Sequence, residues 1–223
     1  MDNTTFEKLK ELTRRKIGQL PEGAYEFELR LQILALQKLV EGKPVTPEQL
    51  SRSWQIPLGQ VQTLIEQAAS YGTLQLDTEG SLIGTAISLA PADIKLQING
   101  HSMYAWCAYD AIYAPAVIGY SAAVESTDPL TGDAIHIKVT PDGILDTDPK
   151  DLAATYVGMD ADVAGGPESP RCSSMHFFAS RENAEQWSAS HPGVSVMSPD
   201  QIYQLAREFQ IEPALAIGLI KDE

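Results

Sequence analysis

The stretch PVTPEQLSRSWQIPLGQVQTLIEQAASYGTLQLDTEGSLI, residues 44–83, decides how the first part of the chain folds. Thr46 is a favourable helix N-cap, Pro47 suits the first helical position, and Gln49 stands where a capping box needs its reciprocal partner. A short helix therefore starts at residue 47. Ile56-Pro57-Leu58-Gly59 reads as a turn. Residues 59–71 read as a second helix, stopped by Gly72. Leu74-Gln75-Leu76 and Ser81-Leu82-Ile83 flank residues 77–80 as a short hairpin.

On the N-terminal side, residues 25–41 (YEFELRLQILALQKLVE) carry a broad apolar face. Leu29, Ile33, Leu36 and Val40 form it with Leu31, Leu34 and Leu39, and Gly42 closes the segment. Residues 1–18 read as a polar helix. Helix, short helix, turn, helix, hairpin is the order of a winged-helix module. Residues 1–90 are therefore expected to form a winged-helix-like domain. Such a module reads DNA through basic residues on its second helix, yet no Lys or Arg lies between Gly59 and Gly72, and Glu66 does. A packing or lid role is expected instead.

Beyond a linker at Ala90-Pro91-Ala92 the pattern changes. Residues 93–98, 121–124, 134–139, 153–157 and 176–179 read as strands. Residues 103–113 (ending before Pro115), 182–190 and 199–210 read as helices. Residues 165–170 form a Gly/Pro-rich loop that delivers the chain to Arg171 and Cys172. The expected class is α+β: an N-terminal winged-helix-like helical domain, then a mixed, mainly antiparallel sheet domain with flanking helices over residues 91–223.

The chain has 223 residues, 43% of them hydrophobic, and a formal net charge of -14. Residues 1–90 hold 9 Lys/Arg against 11 Asp/Glu, and the rest hold 7 against 19. Phosphate backbones would be repelled, so a nucleic-acid partner is not expected. No apolar run approaches the roughly 18–20 residues that span a bilayer, and the N-terminus lacks a signal-peptide core. A cytoplasmic address, where thiols stay reduced, is expected. Two cysteines are too few for a disulfide framework.

Cys107 and Asp110 stand three apart on an expected helix, which would place them on one face. A thiolate is a soft nucleophile and the strongest protein ligand for soft metals. A neighbouring carboxyl can hold or remove a proton. Cys172 follows 65 positions later, after the loop. Spacing alone does not join the two sulfurs: from composition alone Cys107 reads more readily as a small buried hydrophobe, and Cys172 reads as an incidental loop thiol. His101, His136, His176 and His191 make no paired metal-ligand spacing with them. A Cys107/His176 pair is conceivable but has no local signature.

The segment Tyr104-Ala105-Trp106-Cys107-Ala108-Tyr109-Asp110, continuing to Pro115-Ala116-Val117-Ile118-Gly119, resembles the first active-site segment of the bacterial organomercurial (alkylmercury) lyases. Cys172-Ser173-Ser174-Met175-His176-Phe177-Phe178-Ala179-Ser180 resembles their second. Ala184-Glu185-Gln186-Trp187 and the helix around Glu208-Phe209 fit as well. The likeness is specific over residues 100–119 and 171–191, and architectural over residues 1–90.

This resemblance implies protonolysis of carbon–mercury bonds in alkyl and aryl mercury, giving a hydrocarbon and Hg(II). The family's catalytic set falls on Cys107, Asp110 and Cys172, which would also hold the Hg(II) product. Tyr104, Trp106 and Tyr109 would line a pocket for the organic group. No resident cofactor is implied. An external small thiol is, with hand-over of Hg(II) to such thiols or to mercuric reductase. Two departures are visible. Ser126-Thr127-Asp128-Pro129 stands where some members carry a further Cys, and Ser173-Ser174 follows the second cysteine where members have Cys-Cys or Cys-His. Two readings from other classes remain: a thiol-based carrier of Hg(II) or Cu(I) without bond cleavage, and a metal-sensing winged-helix regulator. A carrier has no use for a proton donor beside its thiolate.

Overall fold

A computed structural model describes residues 1–158, 169 and 171–221. The Gly/Pro-rich loop expected at residues 165–170 lies outside the described residues except for Ser169.

Four helices open the chain: α1 (Asn3–Ile17), α2 (Ala24–Leu39), α3 (Pro47–Trp54) and α4 (Leu58–Ser70). The capping box of α3 forms as its sequence requires. Thr46 Oγ1 accepts from the Gln49 amide at 3.3 Å, and Gln49 Oε1 accepts from the Thr46 amide at 2.8 Å. Leu29, Ile33, Leu36 and Val40 of the α2 segment are all buried.

The expected hairpin appears as β1 (Gln75–Leu76) and β2 (Leu82–Thr85), paired antiparallel. It does not stand free. β2 pairs with β3 (Ile87–Ser88), which pairs in turn with β5 (His101–Ala105). One eight-stranded sheet thus runs through residue 90, in the order β1-β2-β3-β5-β4-β6-β7-β8. Its other members are β4 (Ile94–Ile98), β6 (Ala122–Thr127), β7 (Ala134–Thr140) and β8 (Gly143–Asp148). β4 alternates buried and exposed residues, as a strand with one covered face must. Asn99 and Gly100 turn β4 into β5 with φ of 49° and 76°, the positive values a two-residue primed turn needs. A second sheet has the order β10-β9-β11, from β9 (Ala153–Val157), β10 (Phe177–Phe178) and β11 (Val194–Met197). Every pairing in both sheets is antiparallel. The architecture is α+β with an N-terminal helical region.

Between β5 and β6 runs α5 (Ala108–Ile118), buried along nearly its whole length. A helix apolar on all sides belongs in an interior. Two expectations are corrected here. Residues 103–105 are strand rather than helix, because β5 pairs with both β3 and β4 and tertiary pairing overrides local helical character. The helix also continues through Pro115 and ends at Gly119 in the left-handed region. Burial of Ala114, Ala116 and Val117 offsets the hydrogen bond that Pro115 cannot donate.

The chain closes with α6 (Arg181–Ser188), α7 (Pro199–Ala206) and α8 (Glu212–Ala216). The helix expected over 199–210 is shorter: after Ala206 the backbone widens into a π turn at Arg207–Ile211. Glu208 in that turn receives Lys10 at 2.9 Å and also Arg14, which fastens α1 to the C-terminal helices. The strands β3, β8 and β11 were not expected from the sequence.

Candidate active site

Cys107 sits where β5 gives way to α5. Its backbone is extended (φ -157°, ψ 176°), and it occupies the N-cap position of the helix. Asp110 is the third residue of that helix. The two side chains meet because an N-cap and the third helical residue face each other across the first turn, as in a capping box, and not because both lie within one helix. The Cys107 thiol donates to Asp110 Oδ2 at 3.1 Å.

Cys172 opens a 3₁₀ turn, Cys172–Ser174. Its amide donates to Ser169 Oγ at 3.1 Å, and the Met175 amide donates back to its carbonyl at 3.1 Å. Two further links fix this turn against the rest of the site. The Ala108 amide donates to the Met175 carbonyl at 3.0 Å, joining the turn to the first residue of α5. Thr155, fully buried on β9, donates from Oγ1 to the Ser174 carbonyl at 2.8 Å and accepts from the His176 amide at 2.8 Å. Two residues 65 positions apart in the chain are thereby held side by side.

The result is a compact trio. One ligating atom from each of Cys107, Asp110 and Cys172 lies within 4.8 Å of the others. Cys107 is 1% exposed and Cys172 8%. Asp110 keeps some accessible surface, yet enough protein surrounds its carboxyl for it to titrate as a buried group.

Burial pushes the Cys107 thiol well above its ordinary value. Hydrogen bonding with Cys172 and the Asp110 charge act in the same direction, and the Asp110 amide opposes them. The Asp110 carboxyl is likewise raised well above the ordinary range, first by burial and then by the charge on Cys172. The Cys107 hydrogen bond and Arg171 act against that rise. The pocket thus favours the protonated forms of Cys107 and Asp110. Such a trio can bind one soft ion through two sulfurs and can take up and hold a proton on the carboxyl beside them.

The remaining site expectations fall unevenly. Tyr109 is buried beside the cluster, stacked on Tyr113 with ring centroids 6.0 Å apart, and its hydroxyl donates to Gln210 of the π turn. Trp106 is half-buried, with its indole Nε1 buried and without a hydrogen-bond partner among the described residues. Tyr104 pairs with Lys95 and lies on the face of β5 opposite to Met103 and Ala105. His176 does not pair with Cys107: its Nε2 lies 2.8 Å from the Ser173 carbonyl. In the segment Ser126-Thr127-Asp128-Pro129, the Asp128 carboxylate accepts from the Ala179 amide at 2.8 Å and from Asn183 Nδ2 at 2.7 Å. It clasps the β6–β7 connection to the segment after β10 and to α6.

Reasoning from the sequence missed Thr155, Arg171 and Gln210. Arg171 had a signal, since it immediately precedes Cys172. Thr155 had a weak one, as the lone aliphatic hydroxyl in the run AATYV. The π turn that presents Gln210 had none.

No helix among the described residues is long and apolar enough to cross a membrane. Residues 87–210 match the family model for alkylmercury lyase. An alkylmercury lyase of Pseudomonas putida is 31% identical over 205 residues, covering 92% of each chain. One from Bacillus cereus is 31% identical over 172 residues, 77% of each. The solved mercury-bound form of MerB2 superposes with a TM-score of 0.73 at 21% identity, covering 95% of this chain and 100% of that one, which is a likeness of fold.

Proposed function

Because the chain belongs to the alkylmercury lyase family, we propose that it cleaves the carbon–mercury bond of alkyl and aryl mercury compounds through Cys107, Cys172 and Asp110. The observation that carries this reading is the trio itself: two sulfurs and a carboxyl within 4.8 Å of one another.

The substrate is R–Hg–SR′, where R′S is a small-thiol ligand. The Cys107 proton passes to Asp110, to which it is already hydrogen-bonded, and the resulting thiolate displaces R′S⁻ from mercury. Cys172 then adds as a second sulfur ligand. Its proton leaves for R′S⁻, giving R′SH. Two thiolates load electron density onto mercury and thence onto the bound carbon, which becomes basic enough to accept a proton. Asp110 delivers that proton, the C–Hg pair becomes the new C–H bond, and R–H departs. Two thiol protons enter and leave as R–H and R′SH, with no change of oxidation state. Hg(II) stays between the sulfurs until two external thiols, or a dithiol acceptor such as mercuric reductase, remove it.

Each environment suits its role. A carboxyl raised by burial holds the proton it takes from Cys107 until carbon needs it. A buried sulfur pair excludes water from a carbanion-like transition state. The test is the release of benzene from phenylmercury in excess 2-mercaptoethanol, read by gas chromatography. Wild type should release benzene and Asp110→Ala should not. An Asp110→Ala enzyme as fast as wild type would remove the carboxyl from the reaction, and a wild type that only binds Hg(II) would leave a carrier.

A further inference from the structure

The turn that carries Cys172 has no regular ladder to hold it, so each of its carbonyls needs a donor of its own. All five carbonyls from Cys172 to His176 have one. The Cys172 carbonyl accepts from the Met175 amide at 3.1 Å, the Met175 carbonyl from the Ala108 amide at 3.0 Å, and the His176 carbonyl from the Thr155 amide at 2.9 Å. The Ser174 carbonyl accepts from Thr155 Oγ1 at 2.8 Å. The fifth belongs to Ser173, directly after the cysteine, and its partner is a side chain from the far end of the same turn: His176 Nε2, at 2.8 Å. A carbonyl only accepts, so Nε2 carries the hydrogen, in the neutral ring as in the cation.

That ring is braced in turn. It meets Trp187 of α6 edge-on, with centroids 5.3 Å apart at 76°, and Phe178 of β10 at 6.4 Å and 88°. Trp187 is itself stacked on His191, with centroids 3.5 Å apart at 4°. The His176 amide is tied to Thr155 Oγ1 at 2.8 Å. A side chain packed against aromatic rings, on a backbone that is bonded as well, can hold its acceptor at a set place. Resting on the lyase reading, we infer that His176 is a positioning residue for the second sulfur: its Nε2–H holds the Ser173 carbonyl and so keeps Cys172 where it can add to mercury already captured by Cys107. It acts through the turn, not on mercury. Capture by Cys107 draws on the bond to Asp110 within the first turn of α5, in which His176 has no part. Loss of the His176 bond therefore falls on the step that needs both sulfurs.

The experiment separates those two steps in a single turnover, with protein in excess over phenylmercury 4-nitrothiophenolate. Release of the yellow nitrothiophenolate reads capture, and benzene reads cleavage. His176→Phe keeps an aromatic ring and removes the donor; His176→Gln puts an amide N–H back near the place of Nε2. His176→Phe should capture at the wild-type rate and cleave at least about tenfold more slowly, since a reacting atom moved by about 1 Å costs more than that. His176→Gln should recover most of the loss. The ratio of cleavage to capture within each variant cancels any loss of folded protein. Cleavage by His176→Phe at the wild-type rate, capture and cleavage falling together, or a loss that Gln does not repair would each overturn the positioning role and leave the lyase reading intact. A wild type that captures and releases no benzene would overturn the lyase reading instead. The seat of Cys172 is then read from retention of Hg(II) against 2-mercaptoethanol, which His176→Phe should weaken and His176→Gln should restore; equal retention in all three proteins would overturn the positioning role as well.

Discussion

Thr155→Val replaces a hydroxyl with a methyl of nearly the same volume on a fully buried strand position. The backbone bond from the Thr155 amide to the His176 carbonyl (2.9 Å) survives, so β9 and β10 stay registered. What is lost is the pair of bonds made by Oγ1, to the Ser174 carbonyl and from the His176 amide, each 2.8 Å. Each backbone group stranded without a partner costs about 1–3 kcal/mol, and partial relaxation of the turn recovers some of that. The sum is about 2–4 kcal/mol, large beside the total stability of a domain. Relaxation moves the turn that carries Cys172, and a sulfur displaced by about 1 Å costs on the order of a hundredfold in rate. Urea unfolding should therefore show a midpoint lowered at unchanged slope, and benzene release from phenylmercury should fall at least tenfold in protein that is still folded. A stability within 0.5 kcal/mol (about the ordinary noise for a surface change) together with a wild-type rate would refute the view that Thr155 holds the second cysteine in place.

Asp110→Asn should abolish protonolysis, by a factor of about a hundred or more, while leaving one-to-one Hg(II) binding measurable by titration calorimetry. The same variant tests the electrostatics. Asp110 has a folded-state pKa above its unfolded value, so the native state holds more protons between the two, and stability falls as pH rises from about 4 through the raised value. Thermal melts of Asp110→Asn should decline less than wild type over that window, and parallel curves would mean the carboxyl is not strained by burial. Cys107→Ser and Cys172→Ser should each remove cleavage, and Hg(II) should protect both wild-type thiols from alkylation, as read by mass spectrometry. One thiol modified at its free rate in the complex would rule out a two-sulfur site. Gly42→Ala should destabilise by about 1–3 kcal/mol, because Gly42 has φ +74° and a Cβ there would lie 2.5 Å from the His101 ring. An unchanged urea midpoint would show that the α2–α3 connection shifts freely.

Local rules were legible where local forces decide. The α3 capping box, the Gly42 and Gly72 stops and the strand at 153–157 are written in a few adjacent residues each. Expectation failed where distant partners decide. Residues 103–105 have side chains that suit a helix, yet β3 and β4 supply a ladder that no nearby residue announces. The strands β3 and β11 are two and four residues long and exist only through their neighbours. The site shows the same division. Cys107 and Asp110 meet through a first-turn geometry that a three-residue spacing encodes. Joining Cys172 to them took two flanking segments that resemble a known family, because the bonds from Thr155 and Ala108 that bring it close span 19 and 67 positions.

The depth of the sulfurs has a consequence for what the protein meets in a cell. Cys107 and Cys172 expose almost nothing, and Asp110 beside them is only partly exposed. A two-coordinate mercurial is linear and slim along its axis, and can enter end-on. A protein thiol, a branched electrophile or a bulky peroxide is wider, and meets two recessed sulfurs less readily. Burial therefore acts as a sieve on shape: it shields the thiols from the oxidants and alkylators that spoil exposed cysteines.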